Sequence, residues 1–162
     1  MNKDQNSELK NGFGLVEIIV AVGLLAGAIF AITELTFFLN RTAKERTVSE
    51  RAVFLTKEGL ELTRTIRDRG WTNYIANQTI GIDLHPVLGG TPAGWSFASG
   101  TETIDNIFVR KIVLSNVNRD SQDNIVLTGG VLDPGTKKVI ATVSWGVKKI
   151  EFTAYITNFL NN

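Results

Sequence analysis

Twenty residues near the N-terminus, Phe13–Ile32, contain only one charged side chain, the carboxylate of Glu17. As an α-helix this run would rise about 30 Å, which matches the hydrocarbon thickness of a bilayer. A charge inside such a segment is costly, about 3 kcal/mol near its centre on insertion scales, so a carboxylate there is by default a functional hypothesis. The run therefore predicts a membrane-spanning helix with Glu17 as its candidate functional residue.

The apolar run opens on a short motif, Gly12-Phe13-Gly14-Leu15-Val16-Glu17, that follows a polar leader. This motif resembles the class III signal of type IV prepilins, in which prepilin peptidase cuts after the Gly. The resemblance covers residues 8 to about 39 and departs from the family pattern at Gly14, where Thr or Ser is usual. A secretory signal peptide fits less well, because its small residues follow the apolar region, whereas Gly12 precedes it.

The resemblance implies roles for three residues. The peptidase would cut between Gly12 and Phe13 and methylate the new amino group of Phe13. During assembly, the Glu17 carboxylate would pair with the Phe13 ammonium of a neighbouring subunit. The implied partners are prepilin peptidase, other pilin subunits, an inner-membrane assembly platform and membrane lipid. The alternative for Glu17 is a side chain that reaches the headgroups near the start of the helix.

The resemblance also implies a location, and the flanking charges oppose it. A pilin-like chain would cross the inner membrane once, with its head domain outside the cytoplasm, and then join a pilus or the cell surface. Two basic residues precede the span, Lys3 and Lys10, and four follow within about fifteen residues. The positive-inside rule would place the C-terminal domain in the cytoplasm. We give the cleavage motif more weight because it is specific. The four basic residues after the span are Arg41, Lys44, Arg46 and Arg51.

Within the apolar run, Gly23 and Gly27 form a GxxxG pattern. Such a pattern lets two membrane helices approach closely, so both glycines are candidate helix-packing residues. The alternative is that glycine is simply frequent in membrane helices.

Residues 41–69 continue the helix with charged side chains at i and i+4, which support a solvated helix. Gly70 is its predicted stop. One narrow apolar stripe is expected to pack against a sheet. The stripe consists of Val48, Ala52, Leu55, Gly59, Leu62 and Ile66.

Beyond Trp71 the apolar period changes from helical to two, which indicates strands. Alternation predicts a short strand at Ile80–Leu84, a longer one at Ile107–Val117, and a hairpin of Val139–Trp145 with Ile150–Thr157. Turn signals lie at Gly89–Gly94, Gly129-Gly130 and Asp133-Pro134-Gly135.

The expected fold is therefore α+β and type IV pilin-like. A long N-terminal helix, membrane-spanning in its first half, packs on a C-terminal antiparallel sheet of four to six strands. The expected division is a leader at 1–12, a transmembrane and polymerisation half-helix at 13–39, an amphipathic half-helix at 40–70 and a β-sheet head at 71–162.

The sequence offers little chemistry. There is no Cys, and the single His, His85, precedes Pro86 in a predicted loop. We expect a non-enzymatic protein with no cofactor, and the net charge of +1 gives no case for nucleic acid. The best metal candidate has side-chain oxygens that suit calcium, although its spacing is not that of an EF-hand. An Asp/Asn turn explains the same residues without an ion. These residues are Asn118, Asp120, Asp123 and Asn124.

The sequence is thus interpreted as a structural subunit, a minor pilin, of a bacterial type IV pilus or related fibre. A looser resemblance to minor pilins of the pilus-modification type rests on Phe108-Val109-Arg110, Asn118-Arg119-Asp120 and Val143-Ser144-Trp145. Two alternatives remain open: a pseudopilin of type II secretion or DNA-uptake machinery, and a membrane-anchored binding domain that does not polymerise.

Overall fold

The structure is a computed structural model that describes residues 14–90 and 92–161. The chain divides into two compact units, one ending at Arg46 and the other beginning at Thr47. A single α-helix, α1, runs from Leu15 to Arg69. In the first unit, every described residue of α1 is exposed. This part of α1 is the one described segment that is long and apolar enough to cross a membrane.

The second unit contains an antiparallel sheet in the order β2-β1-β4-β6-β7, with β3 and β5 also paired to β4. A one-turn π-helix, Thr72–Ala76, connects α1 to it. The strands are β1 Leu84–Gly89, β2 Gly94–Ser99, β3 Glu102–Ile104, β4 Phe108–Arg119, β5 Ile125–Val126, β6 Val131–Trp145 and β7 Lys148–Thr157. The described strands number seven, which exceeds the predicted four to six because β3 and β5 are too short to show a period.

The C-terminal half of α1 packs on this sheet, which confirms the α+β fold class. One core cluster joins Ile66 of the helix to Ile112, Leu114 and Val139 of the central strands. A second joins Ala52 and Leu55 to Phe108 and Val143. Burying a Val, Leu, Ile or Phe side chain stabilises the fold by roughly 1.5–3 kcal/mol. The helix ends at Arg69, directly before Gly70, as predicted.

The buried face of α1 differs from the predicted stripe. Val48 and Leu62 are only half-buried, whereas Thr56 and Thr63 are fully buried. Each threonine hydroxyl donates to the carbonyl one turn earlier, at 2.7 Å to Ala52 and 2.8 Å to Gly59. Because these bonds satisfy the hydroxyls, threonine can occupy the core. The apolar pattern could not reveal this.

The predicted strand at Ile80–Leu84 is wrong. Residues 80–82 form a turn and bend, and strand β1 begins only at Leu84. Gly81 has a φ of +80°, a conformation that breaks an extended run, and its N–H donates to the Leu114 carbonyl at 2.9 Å. His85 therefore lies in β1 opposite Ala98 and not in a loop.

The Asp133-Pro134-Gly135 signal is likewise not a turn between strands but an irregularity within β6. Asp133 faces Val117 of β4, while Lys137 faces the preceding residue, Asn116. The intervening residues have no register partner on β4, which makes a bulge, and the Asp133 carboxylate accepts the Gly135 N–H at 2.9 Å. The predicted turn at Gly129-Gly130 and the hairpin of β6 with β7 are confirmed.

Candidate functional site

The predicted processing site lies outside the described residues. Gly12 and Phe13 both precede residue 14, so cleavage and methylation stay predictions. Glu17, the predicted assembly residue, lies in the first turn of α1 and is exposed. Its backbone N–H donates to the Gly14 carbonyl at 2.9 Å, which places this carboxylate at the start of the apolar helix.

The apolar half of α1 exposes large side chains on all of its faces. A contiguous apolar surface of this extent marks a membrane or protein contact in a native protein. Two hydroxyls within it are satisfied by the helix backbone: those of Thr33 and Thr36 donate to the Ile29 and Ile32 carbonyls at 2.9 and 2.8 Å. Between Leu15 and Leu39 the exposed large residues are Leu15, Val16, Ile18, Ile19, Val20, Val22, Leu24, Leu25, Ile29, Phe30, Ile32, Leu35, Phe37, Phe38 and Leu39.

Gly23 and Gly27 lie on this exposed surface. Apart from the adjoining residues and the helix's own backbone, a Cβ atom added at either position would meet no described atom within 4 Å. The glycines therefore leave the helix backbone accessible, which is the property that close helix approach requires.

A buried cation joins the helix and the sheet in the second unit. The Arg110 side chain is only 4% exposed and donates from Nη1 to Glu58 at 2.8 Å and from Nη2 to Glu102 at 2.7 Å. Nη1 also donates to the Leu55 carbonyl at 3.3 Å. These contacts satisfy a charge that would be costly to bury alone. The site is structural, and sequence analysis missed it, although Arg110 stands at an inward position of an alternating strand.

A second ionic network holds the far end of β4 to the bulge of β6. Arg119 donates from Nε to the Asp133 carboxylate at 2.7 Å and from Nη1 to the Asp123 carbonyl at 2.8 Å. The hydrogen bond with Asp133 raises the pKa of Arg119. The same bond, followed by one from Thr136, lowers the pKa of Asp133.

The calcium candidate is part of this region and forms an Asp/Asn turn. Asp120 Oδ1 accepts the backbone N–H groups of Gln122 and Asn124 at 2.9 Å each. The backbone hydrogen bond from Asn124 is the main reason that the pKa of Asp120 is lowered. The Asn118 amide instead donates to the Gly129 carbonyl at 2.8 Å. Asp123 adopts a left-handed φ of +66°. The turn contains Asp120, Asp123 and Asn124, whereas Asn118 lies in strand β4.

Other chemistry is sparse in the described part of the chain. No group of three or more His, Cys, Asp or Glu side chains there is placed to hold a metal ion. A groove of about 420 Å³ lies along α1 and β7. Its lining combines the apolar Leu60 and Phe152 with charged side chains, and it contains neither Ser, Cys nor His.

No family model matches this chain, and no curated protein or solved structure is significantly similar to it.

Proposed function

We propose that this protein is a pilin-like structural subunit that is processed by prepilin peptidase and assembled into a type IV pilus or related fibre through α1. The observation that carries the proposal is the juxtaposition of the Gly12-Phe13 motif with an apolar helix that has a carboxylate at Glu17, in its first turn. The α+β fold is compatible with such a subunit.

The mechanism follows from the energetics of a charge in lipid. Cleavage after Gly12 would create an ammonium group at Phe13, four residues before Glu17. Two opposite charges in a medium of low dielectric attract strongly, and pairing between neighbouring helices relieves the desolvation of both. Each incoming subunit would therefore be held at the axial position where its charges are paired. The exposed apolar surface of α1 then supplies the packing between subunits.

Intact mass spectrometry of the protein from its native cell tests the proposal. The expected mass is that of a chain beginning at Phe13 with one added methyl group, and the protein should be present in sheared surface fibres. Replacement of Gly12 by Leu should leave the precursor in the membrane. A native protein that retains Met1 would contradict the proposal and favour the anchored binding domain that does not polymerise.

A further inference from the structure

The apolar part of α1 is longer than a bilayer core. Residues Leu15–Leu39 number 25 (39 − 15 + 1), and at 1.5 Å per residue they rise about 37 Å, against a hydrocarbon thickness of about 30 Å. The excess of about 7 Å corresponds to roughly five residues at the C-terminal end. When the start of the helix lies at one membrane surface, these last residues emerge from the hydrocarbon at the other.

Four large apolar side chains occupy this emerging turn, and we refer to them as the collar. They are 56–67% exposed in the structure. An exposed apolar patch outside the hydrocarbon indicates a protein contact. The collar consists of Leu35, Phe37, Phe38 and Leu39.

A carboxylate without an intrahelical partner precedes the collar. The residues one turn away from Glu34, at i±3 and i±4, are Phe30, Ala31, Phe37 and Phe38, and none is charged. In the described part of the chain, the Glu34 side chain takes part in no ion pair or hydrogen bond. At the membrane surface this carboxylate therefore needs water or a cation from another chain.

A cation that could pair with Glu34 lies on the same face of the helix. Arg41 follows Glu34 by seven residues (41 − 34), which is close to two helical turns, so both side chains project on one face about 10.5 Å apart along the axis. Arg41 is 83% exposed and its ion pair with Glu45, at 3.4 Å, is a surface pair. Such pairs contribute little, so Arg41 is available to a second carboxylate.

We propose that α1 packs in parallel with α1 of a second copy of this chain, offset by seven residues, so that Glu34 of one copy pairs with Arg41 of the next. At this offset the collar of the next copy lies level with residues 28–32 of the first (35 − 7 and 39 − 7), which are all apolar, so this contact covers it. This proposal rests on the proposed function and specifies its subunit contact.

Cysteine cross-linking tests this register directly, because the sequence contains no cysteine. Two differently tagged full-length copies are expressed together, one with Glu34→Cys and the other with Arg41→Cys, and membranes and fibres are oxidised. A cross-linked heterodimer should form. The matched control uses Ala43→Cys, on the opposite face of the helix, in place of Arg41→Cys. It should give a several-fold lower yield of cross-linked heterodimer. Equal yields, or cross-links to other proteins only, would overturn the register.

Charge reversal gives a second measurement that does not depend on cysteine. Glu34→Lys and Arg41→Glu should each lower incorporation into fibres several-fold, and the double variant should restore it. Failure of the double variant to recover would also overturn the register. The N-terminal mass of the same samples separates the two proposals. A chain that begins at Phe13 and enters fibres without the 34–41 cross-link contradicts only this contact, whereas a retained Met1 contradicts the proposed function.

Discussion

A Cβ atom at Gly59 would lie 3.0 Å from Cδ1 of Ile112, closer than side chains normally tolerate. It would also lie 3.4 Å from Cδ of Arg110 and 3.8 Å from Cβ of Ala141. The absence of a side chain at Gly59 therefore sets how near the helix lies to strands β4 and β6. The weak helix propensity of glycine, about 1 kcal/mol below that of alanine, is the cost of this close contact.

The first prediction follows from this contact. Gly59→Leu should lower the free energy of unfolding by about 3 kcal/mol, because a large side chain inserted at a filled interface forces the helix and sheet apart. Denaturant unfolding of the full-length chain in detergent measures the change. Lys57→Leu, two residues away at an exposed position, is the matched control and should change stability by only about 0.5 kcal/mol. Similar values for both variants would show that the interface is loose at Gly59.

In the ionic cluster around Arg110, removal of the carboxylates should destabilise the fold more than removal of the guanidinium. The guanidinium is buried, while the side chains of Glu58 and Glu102 are 42% and 32% exposed. Replacing both carboxylates with Ala leaves a buried charge alone and should cost about 3 kcal/mol or more. Arg110→Met should cost less, because the two carboxylates can return to water and a thioether side chain fills the space. Equilibrium unfolding of the two variants decides the order, and a more damaging Arg110→Met would contradict the argument.

Acid should weaken the Arg119–Asp133 pair. The hydrogen bond from Arg119 lowers the pKa of Asp133 in the folded state relative to the unfolded state. The contribution of the Arg119–Asp133 pair to stability is therefore fully present above the pKa of Asp133 in the unfolded state, about 4. It is lost as the pH falls through the lower pKa of Asp133 in the folded state. Asp133→Asn should be less stable than wild type at pH 6, and the difference should shrink as the pH approaches 2.

Denaturant unfolding at several pH values between 6 and 2 measures this difference. Asp123→Asn is the control, since that side chain is 86% exposed and lies 3.5 Å from Arg119. Its effect should be small at every pH. A difference between wild type and Asp133→Asn that stays constant with pH would contradict the prediction.

Glu17→Ala should impair assembly and leave insertion and cleavage intact. The change removes a charge from the apolar segment, so insertion should improve or stay the same. The cleavage site lies five residues earlier, so the mature N-terminus should still form. The ratio of protein in sheared fibres to protein in membranes should fall, because the proposed Phe13 ammonium would lose its partner. An unchanged ratio would indicate that Glu17 merely reaches the headgroups.

Much of the architecture could be predicted from local patterns. The apolar run, the helical stripe and the stop at Gly70 determined α1, because helix periodicity and glycine act over a few residues. The two-residue alternation determined β4 and the hairpin of β6 with β7 in the same way. The candidate assembly residue Glu17 also follows from the sequence alone, since a lone charge in an apolar run is visible without coordinates.

The tertiary structure decided what depends on contacts between distant residues. Pairing with β4 turned the Asp133–Gly135 signal into a bulge, and the hydrogen bond from Gly81 to Leu114 belongs to the turn that replaced a predicted strand. Burial of Arg110 depends on carboxylates 52 and 8 residues away, which no local pattern records. Sequence periodicity reports which side chains share a face, whereas register and the satisfaction of buried polar groups are set only when the faces meet.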